Sequence, residues 1–190
     1  MAKRKYEHMF VSGIDPEIQA KRPYAAIAFL DGKSFEGCNE YHIYWVGDKP
    51  YGPYGTKKWG EIMHGPHIHK YPELIVHLGT DPDNPMDLGA EIEMCMGPEM
   101  EKYTFNKSTA ICIPANFVHA PWRIIKVTRP FLMVEVNQSP KHTEKSRKDI
   151  VSKEDLKKML FVDVGYDSDE MVMHWPEAAG PQPGLTSPHK

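Results

Sequence analysis

Three histidines and a glutamate stand where they can converge on one metal ion. In His67-Ile68-His69-Lys70-Tyr71-Pro72-Glu73, residues of the same parity share one side of an extended chain, so His67, His69 and Glu73 face together. A second segment, Ile113-Pro114-Ala115-Asn116-Phe117-Val118-His119, supplies one more imidazole after a turn. Pro114 fixes its own φ and Asn116 tolerates the left-handed conformation better than most residues with a side chain, which aims His119 inward. Imidazole nitrogen with carboxylate oxygen is the donor set for one divalent transition metal ion, iron, manganese, nickel, cobalt or zinc, whereas softer ions prefer sulfur. Four protein ligands on an octahedral ion leave about two positions for water, dioxygen or a bidentate substrate. Glu73 has two prospective roles, as metal ligand and as the catalytic base when it leaves the metal.

Three further residues are candidates for substrate contact. His77 shares parity with His69 and Glu73 and can reach the same interior, although a hydrogen-bonded core histidine is the plainer reading. On a regular strand Arg123 points the same way as His119, making it a clamp for a carboxylate or phenolate; otherwise it is a surface arginine near Lys126 and Arg129. Tyr44 and Trp45 lie on opposite faces of one strand, so one lines a pocket while the other packs outside, and Tyr44 is taken as the pocket residue. His64 and His42 have weaker cases. Asp81, Asp83 and Asp87 lie near prolines without the spacing of a calcium loop, so they read as turn residues. Met94 and Met96 read as packing.

The elements that must carry these side chains are short strands: Tyr24 to Leu30, Tyr41 to Val46, Glu73 to Leu78, Ala90 to Met96, Glu101 to Phe105, Thr109 to Ile113, Val118 to Val127 and Phe131 to Val136. Turn-rich stretches at Asp48 to Thr56 and Gly79 to Gly89 separate them, in keeping with 17 prolines and 14 glycines in 190 residues. Ile92, Met94 and Met96 fall on one face, and Glu91, Glu93 and Cys95 on the other, as in a half-buried strand. This spacing predicts an all-β sandwich or barrel. One helix is expected, Lys153 to Leu160, capped by Ser152. Beyond Gly165 the chain turns acidic and then rich in proline through Pro176, Pro181, Pro183 and Pro188, which predicts an extended tail, with Met171, Met173 and Trp175 alternating as in an edge strand.

The two histidine segments resemble the paired motifs of the cupin superfamily, G-x5-H-x-H-x3,4-E-x6-G and G-x5-P-x-G-x2-H-x3-N, over residues 60 to 123. Carried over position by position, the metal ligands fall on His67, His69, Glu73 and His119, all four present. Supporting positions depart from the pattern. Glu61, beside Gly60, stands for the first glycine, and the closing glycine comes one residue early at Gly79. Ser108, Asn116 and Arg123 replace the leading Gly, the turn Gly and the final Asn of the second motif. The resemblance implies an all-β, cupin-type barrel (double-stranded β-helix, or jelly roll). Its boundaries are an arm at 1–23, the barrel at 24–140, and a short helix with an extended tail at 141–190. It also implies a menu of dioxygenases, decarboxylases, isomerases, lyases and binding or storage proteins, and commonly a homodimer, for which the exposed arms are candidates for exchange.

The whole chain bounds the rest. A net charge of −3 with scattered basic residues, the short Lys3-Arg4-Lys5 run included, gives no electrostatic footprint for nucleic acid. Cys38, Cys95 and Cys112 are odd in number and far apart, which suits a reducing cytoplasm. No apolar run approaches the roughly 20 residues that span a bilayer, and no signal peptide is apparent. The expectation is a cytoplasmic, metal-dependent enzyme acting on a small, oxygen-rich organic molecule, by dioxygenase-like or by non-oxidative lyase, decarboxylase or isomerase chemistry. The alternative is a non-catalytic module that holds metal or a small ligand.

Overall fold

Strands this short can bury their apolar faces only by stacking one sheet on another. The computed structural model describes residues 5–19, 26–48 and 62–177. Expectations placed on Lys3, Arg4, Tyr24, the turn residues 49–56, Gly60, Glu61, Pro181, Pro183 and Pro188 lie outside the described residues. A short helix, α1 (Pro16–Gln19), precedes the strands and is tied to them by Gln19, whose Oε1 accepts the Ala26 N–H at 3.0 Å. The strands up to the second motif are β1 (Ala26–Leu30), β2 (Glu40–Val46), β3 (Met63–His64), β4 (His67–Ile68), β5 (Glu73–Leu78), β6 (Asp87–Met96), β7 (Glu101–Lys107) and β8 (Thr109–Ile113). They continue as β9 (His119–Val127), β10 (Phe131–Asn137), β11 (Lys145–Ser146), β12 (Met159–Asp163) and β13 (Val172–His174).

Two antiparallel five-stranded sheets, in the orders β1-β2-β10-β5-β8 and β11-β4-β9-β6-β7, form the body. Alternation decides which side chains lie between them. Along β2, Glu40, His42, Tyr44 and Val46 are buried while the residues between are partly exposed. Tyr44, Val46, Ile75, Phe131 and Met133 from one sheet meet Leu88, Ala90, Ile92 and Met94 from the other in a single buried cluster. Each large apolar side chain so buried contributes roughly 1.5–3 kcal/mol. Among the described residues the sheets face one another without closing into one hydrogen-bonded ring, the sandwich form of a jelly roll.

The C-terminal region departs from expectation in one respect. Ser152 does cap a helix, α2 (Lys153–Leu156), its Oγ accepting the Asp155 N–H at 3.1 Å, but the helix stops there. Met159 and Leu160 belong instead to β12, which pairs parallel to β3 and antiparallel to β13. The run Met159-Leu160-Phe161-Val162 is buried throughout, and Leu160 and Val162 form a second small core with Ile62. A continuous apolar run is compatible with helical or strand pattern, and a partner strand decides between them. The expected edge strand is β13, with Met173 and Trp175 packed against the small core.

Candidate metal centre

Strand pairing brings the two histidine segments together at one end of the sandwich. β4 lies antiparallel to β9 with His67 directly opposite His119. Glu73 opens β5 in the facing sheet, paired with Asn137 and Ile113. The turn before β9 is locked to the first segment, because Asn116, at φ 61°, donates its N–H to the His69 carbonyl at 2.8 Å. Gly65, just before β4, is required by a close approach: a Cβ there would lie 2.2 Å from the Phe161 ring. The ligand-type atoms of His67, His69 and His119 all fall within 4.8 Å of one another, and all three residues are buried.

Each imidazole has one nitrogen committed. His67 Nδ1 donates to the Gly65 carbonyl at 2.8 Å, His119 Nδ1 to the Phe117 carbonyl at 3.2 Å, and His69 Nδ1 to the Thr143 carbonyl. A carbonyl only accepts, so Nδ1 carries the proton and Nε2 of the neutral ring presents a lone pair. Glu73 Oε2 lies 3.1 Å from His119 Nε2 and 3.6 Å from His69 Nε2. Those three atoms are buried without a hydrogen-bond partner. Buried acceptors facing one another are costly unless a cation lies between them, so the donor set fits a metal ion.

Electrostatics agree. Burial lowers the His67 pKa well below the ordinary value and lowers that of His69, keeping both rings neutral and able to coordinate. Burial alone would raise the Glu73 pKa, but His69, His119 and His67 outweigh it and hold the group well below the usual carboxylate range.

The other predicted site residues go elsewhere. Arg123 does not point inward. His119 pairs with Met96, Trp122 with Met94 and Arg123 with Glu93, so β9 spends three steps where β6 spends two. That bulge reverses the parity, placing Trp122 against the core and Arg123 on the outer face. There its Nε lies 2.7 Å from Glu93 Oε1 and its side chain is 49% exposed. His77 is fully enclosed, accepts the Trp122 indole N–H at 2.9 Å and packs edge-on to Phe105. It sits about 13 Å along the strand from Glu73, at roughly 3.3 Å per residue. Burial lowers its pKa to about 4, with the Thr109 backbone acting the other way. Tyr44 is the inward member of its pair, packed in the apolar core, and its hydroxyl bonds His42 Nδ1 at 3.1 Å.

Residues beyond the two motifs surround the centre. Glu144 is 2% exposed and lies between His64 Nε2, 2.7 Å from Oε1, and His142 Nε2, 3.0 Å from Oε2. His142 Nδ1 lies 3.0 Å from Glu40 Oε1, which is 2.7 Å from His42 Nε2. Both His142 nitrogens face carboxylates, so the ring is doubly protonated; against the burial penalty, Glu144 and Glu40 push its pKa up to about 10. The signals in the sequence were the spacing His142-Thr143-Glu144 and a third histidine three residues before His67, neither of which by itself names a partner.

No protein-family profile and no curated protein matches the chain. Among solved structures it is similar to a variant of oxalate decarboxylase from Bacillus subtilis, at 14% identity and TM-score 0.40 over 63% of this chain and 27% of that one. It is likewise similar to an oxalate oxidase (15% identity, TM-score 0.39, 74% of this chain and 67% of that one). A third is the polyketide cyclase RemF from Streptomyces resistomycificus (13% identity, TM-score 0.39, 80% and 89%). The chain spans between 27% and 37% of the length of the oxalate decarboxylases it matches. Likeness this distant leaves the chemistry to the chain's own residues. Both histidine segments meet at one end of two stacked antiparallel sheets, so the chain has the jelly-roll fold that the cupin resemblance implies, with the three imidazoles of those segments brought together.

Proposed function

We propose that the protein is a metal-dependent enzyme acting on a small, oxygen-rich organic molecule, with His67, His69, His119 and Glu73 holding one divalent transition metal ion. The observation that carries this reading is the set of buried lone pairs on His69 Nε2, His119 Nε2 and Glu73 Oε2 that face one another without a proton donor. A bound ion of this kind supplies Lewis acidity and, for a redox-active metal, a place for dioxygen. Glu73 would be the chain's own proton acceptor in a step in which it leaves the ion, being buried and within 3.1 Å of His119 Nε2. Ligand residues only 1–6% exposed favour a substrate of a few heavy atoms.

Purified protein should contain about one equivalent of transition metal by elemental analysis, and His67→Ala with His69→Ala should lose it. Turnover is then sought with a panel of small organic acids and phenols, with and without dioxygen consumption. Retained metal and turnover in the double variant would overturn the assignment. Metal bound by the wild type with no turnover across the panel would return the non-catalytic binding module. A reducing, cytoplasmic setting and a homodimer belong to the same proposal. Cys38, Cys95 and Cys112 are free thiols, and no helix among the described residues is long and apolar enough to cross a membrane. Sedimentation tests the dimer.

A further inference from the structure

Glu144 belongs to neither motif, yet it touches both sides of the centre through other imidazoles. His64 stacks on His67 with ring centroids 4.4 Å apart and planes 21° apart, and His67 in turn meets His119 at 4.2 Å. His142 packs edge-on against His69 at 5.4 Å. Glu144 bonds His64 through one carboxylate oxygen and His142 through the other. Between His142 and Glu144 in the chain lies Thr143, whose carbonyl accepts from His69 Nδ1 and whose hydroxyl accepts the Lys70 N–H at 3.1 Å. Three consecutive residues therefore act on two metal ligands.

The C-terminal strands hold this tripeptide in place. The Glu144 N–H and carbonyl bond Val164 at 2.7 and 2.9 Å, just beyond β12. On its other side β12 pairs with β3, setting Leu160 opposite His64. The segment that supplies Glu144 and the strand that supplies His64 are thus registered through the same small sheet.

We infer that Glu144 is a positioning residue for the metal centre: by clamping His64 against His67 and His142 against His69, it sets the orientation of two ligand rings and adds a negative charge behind them. This rests on the metal reading above. Outer carboxylates that orient ligating histidines typically change metal affinity by about 10–100-fold when removed. A purely structural role for Glu144 would lower stability without changing the affinity or spectrum of the metal bound to the folded protein. His64 has a side chain 37% exposed, so once released from Glu144 it is free to turn to solvent and leave the His67 ring unsupported on that face.

The test is titration of metal-free protein with cobalt(II), following the visible d–d bands for coordination geometry and equilibrium dialysis for affinity. Wild type should bind about one equivalent. Glu144→Gln keeps the volume and loses the charge; it should bind about 10–100-fold more weakly with shifted bands, and Glu144→Asp should recover part of the affinity. Glu144→Gln that is folded by circular dichroism yet matches wild type in affinity and bands would overturn the inference. Should that variant fail to fold, His64→Asn decides: it removes the stacked ring at a partly exposed position, and unchanged affinity and bands would overturn the inference equally. A wild type that binds no cobalt fails the metal reading itself, a result distinct from either.

Discussion

His77 offers a prediction whose size follows from burial. Its ring is fully enclosed among Phe105, Trp122 and Phe131, and its pKa falls from the ordinary 6.5 to about 4. Below pH 6.5 the unfolded chain takes up a proton at this position that the folded chain refuses, so the contribution to stability is full above 6.5 and is lost as pH falls toward 4. At 1.36 kcal/mol per pH unit the whole gap amounts to about 3 kcal/mol, of which about 2 kcal/mol falls between pH 7 and pH 5. Other histidines titrate in the same range, so the contribution is isolated by difference. His77→Gln keeps an acceptor for the Trp122 indole N–H but does not titrate. Leaving part of its amide unsatisfied should lower stability at pH 7 by about 1–3 kcal/mol. Urea unfolding of both metal-free proteins at pH 7 and pH 5 should show wild type losing about 2 kcal/mol more than the variant between the two. Equal losses in the two proteins would refute the reasoning, since the ring would then be accepting its proton inside the fold.

Three shorter predictions address the remaining structure. Gly65→Ala forces a Cβ to 2.2 Å from the Phe161 ring; it should cost about 1–3 kcal/mol in chemical unfolding and weaken metal binding, because the Gly65 carbonyl orients His67. Arg123→Ala should leave metal content and any turnover at wild-type levels and change stability by less than about 1 kcal/mol, the range of exposed ion pairs; a large loss of substrate affinity would restore the clamp. Free metal at a hundredfold above its dissociation constant should stabilise the fold by about 2.7 kcal/mol, and an unchanged melting temperature on adding chelator to loaded protein would contradict a site built from these four residues.

The convergence of the three histidines proposed as ligands was legible in the residues themselves because it depends largely on local rules. Two-residue alternation relates His67 and His69, and Pro114 with a left-handed Asn116 turns the chain before His119, whereas Glu73 lies beyond bends at Lys70 and Tyr71 and comes from the facing sheet, so its approach is set by sheet stacking and not by parity. The β class was legible for the same reason, from short alternating runs cut by turns. Three features needed the tertiary structure. A bulge opposite Met94 to Met96 reversed the parity of β9 and sent Arg123 outward, and a bulge is set by the partner strand rather than by the strand's own pattern. Met159 and Leu160 became strand because β3 pairs with them, while the residues that follow, Phe161 to Asp163, pair with β13. Glu144 lies 77 residues beyond His67, since 144 less 67 is 77, and a contact over that distance follows from sheet registry, which spacing along the chain does not encode.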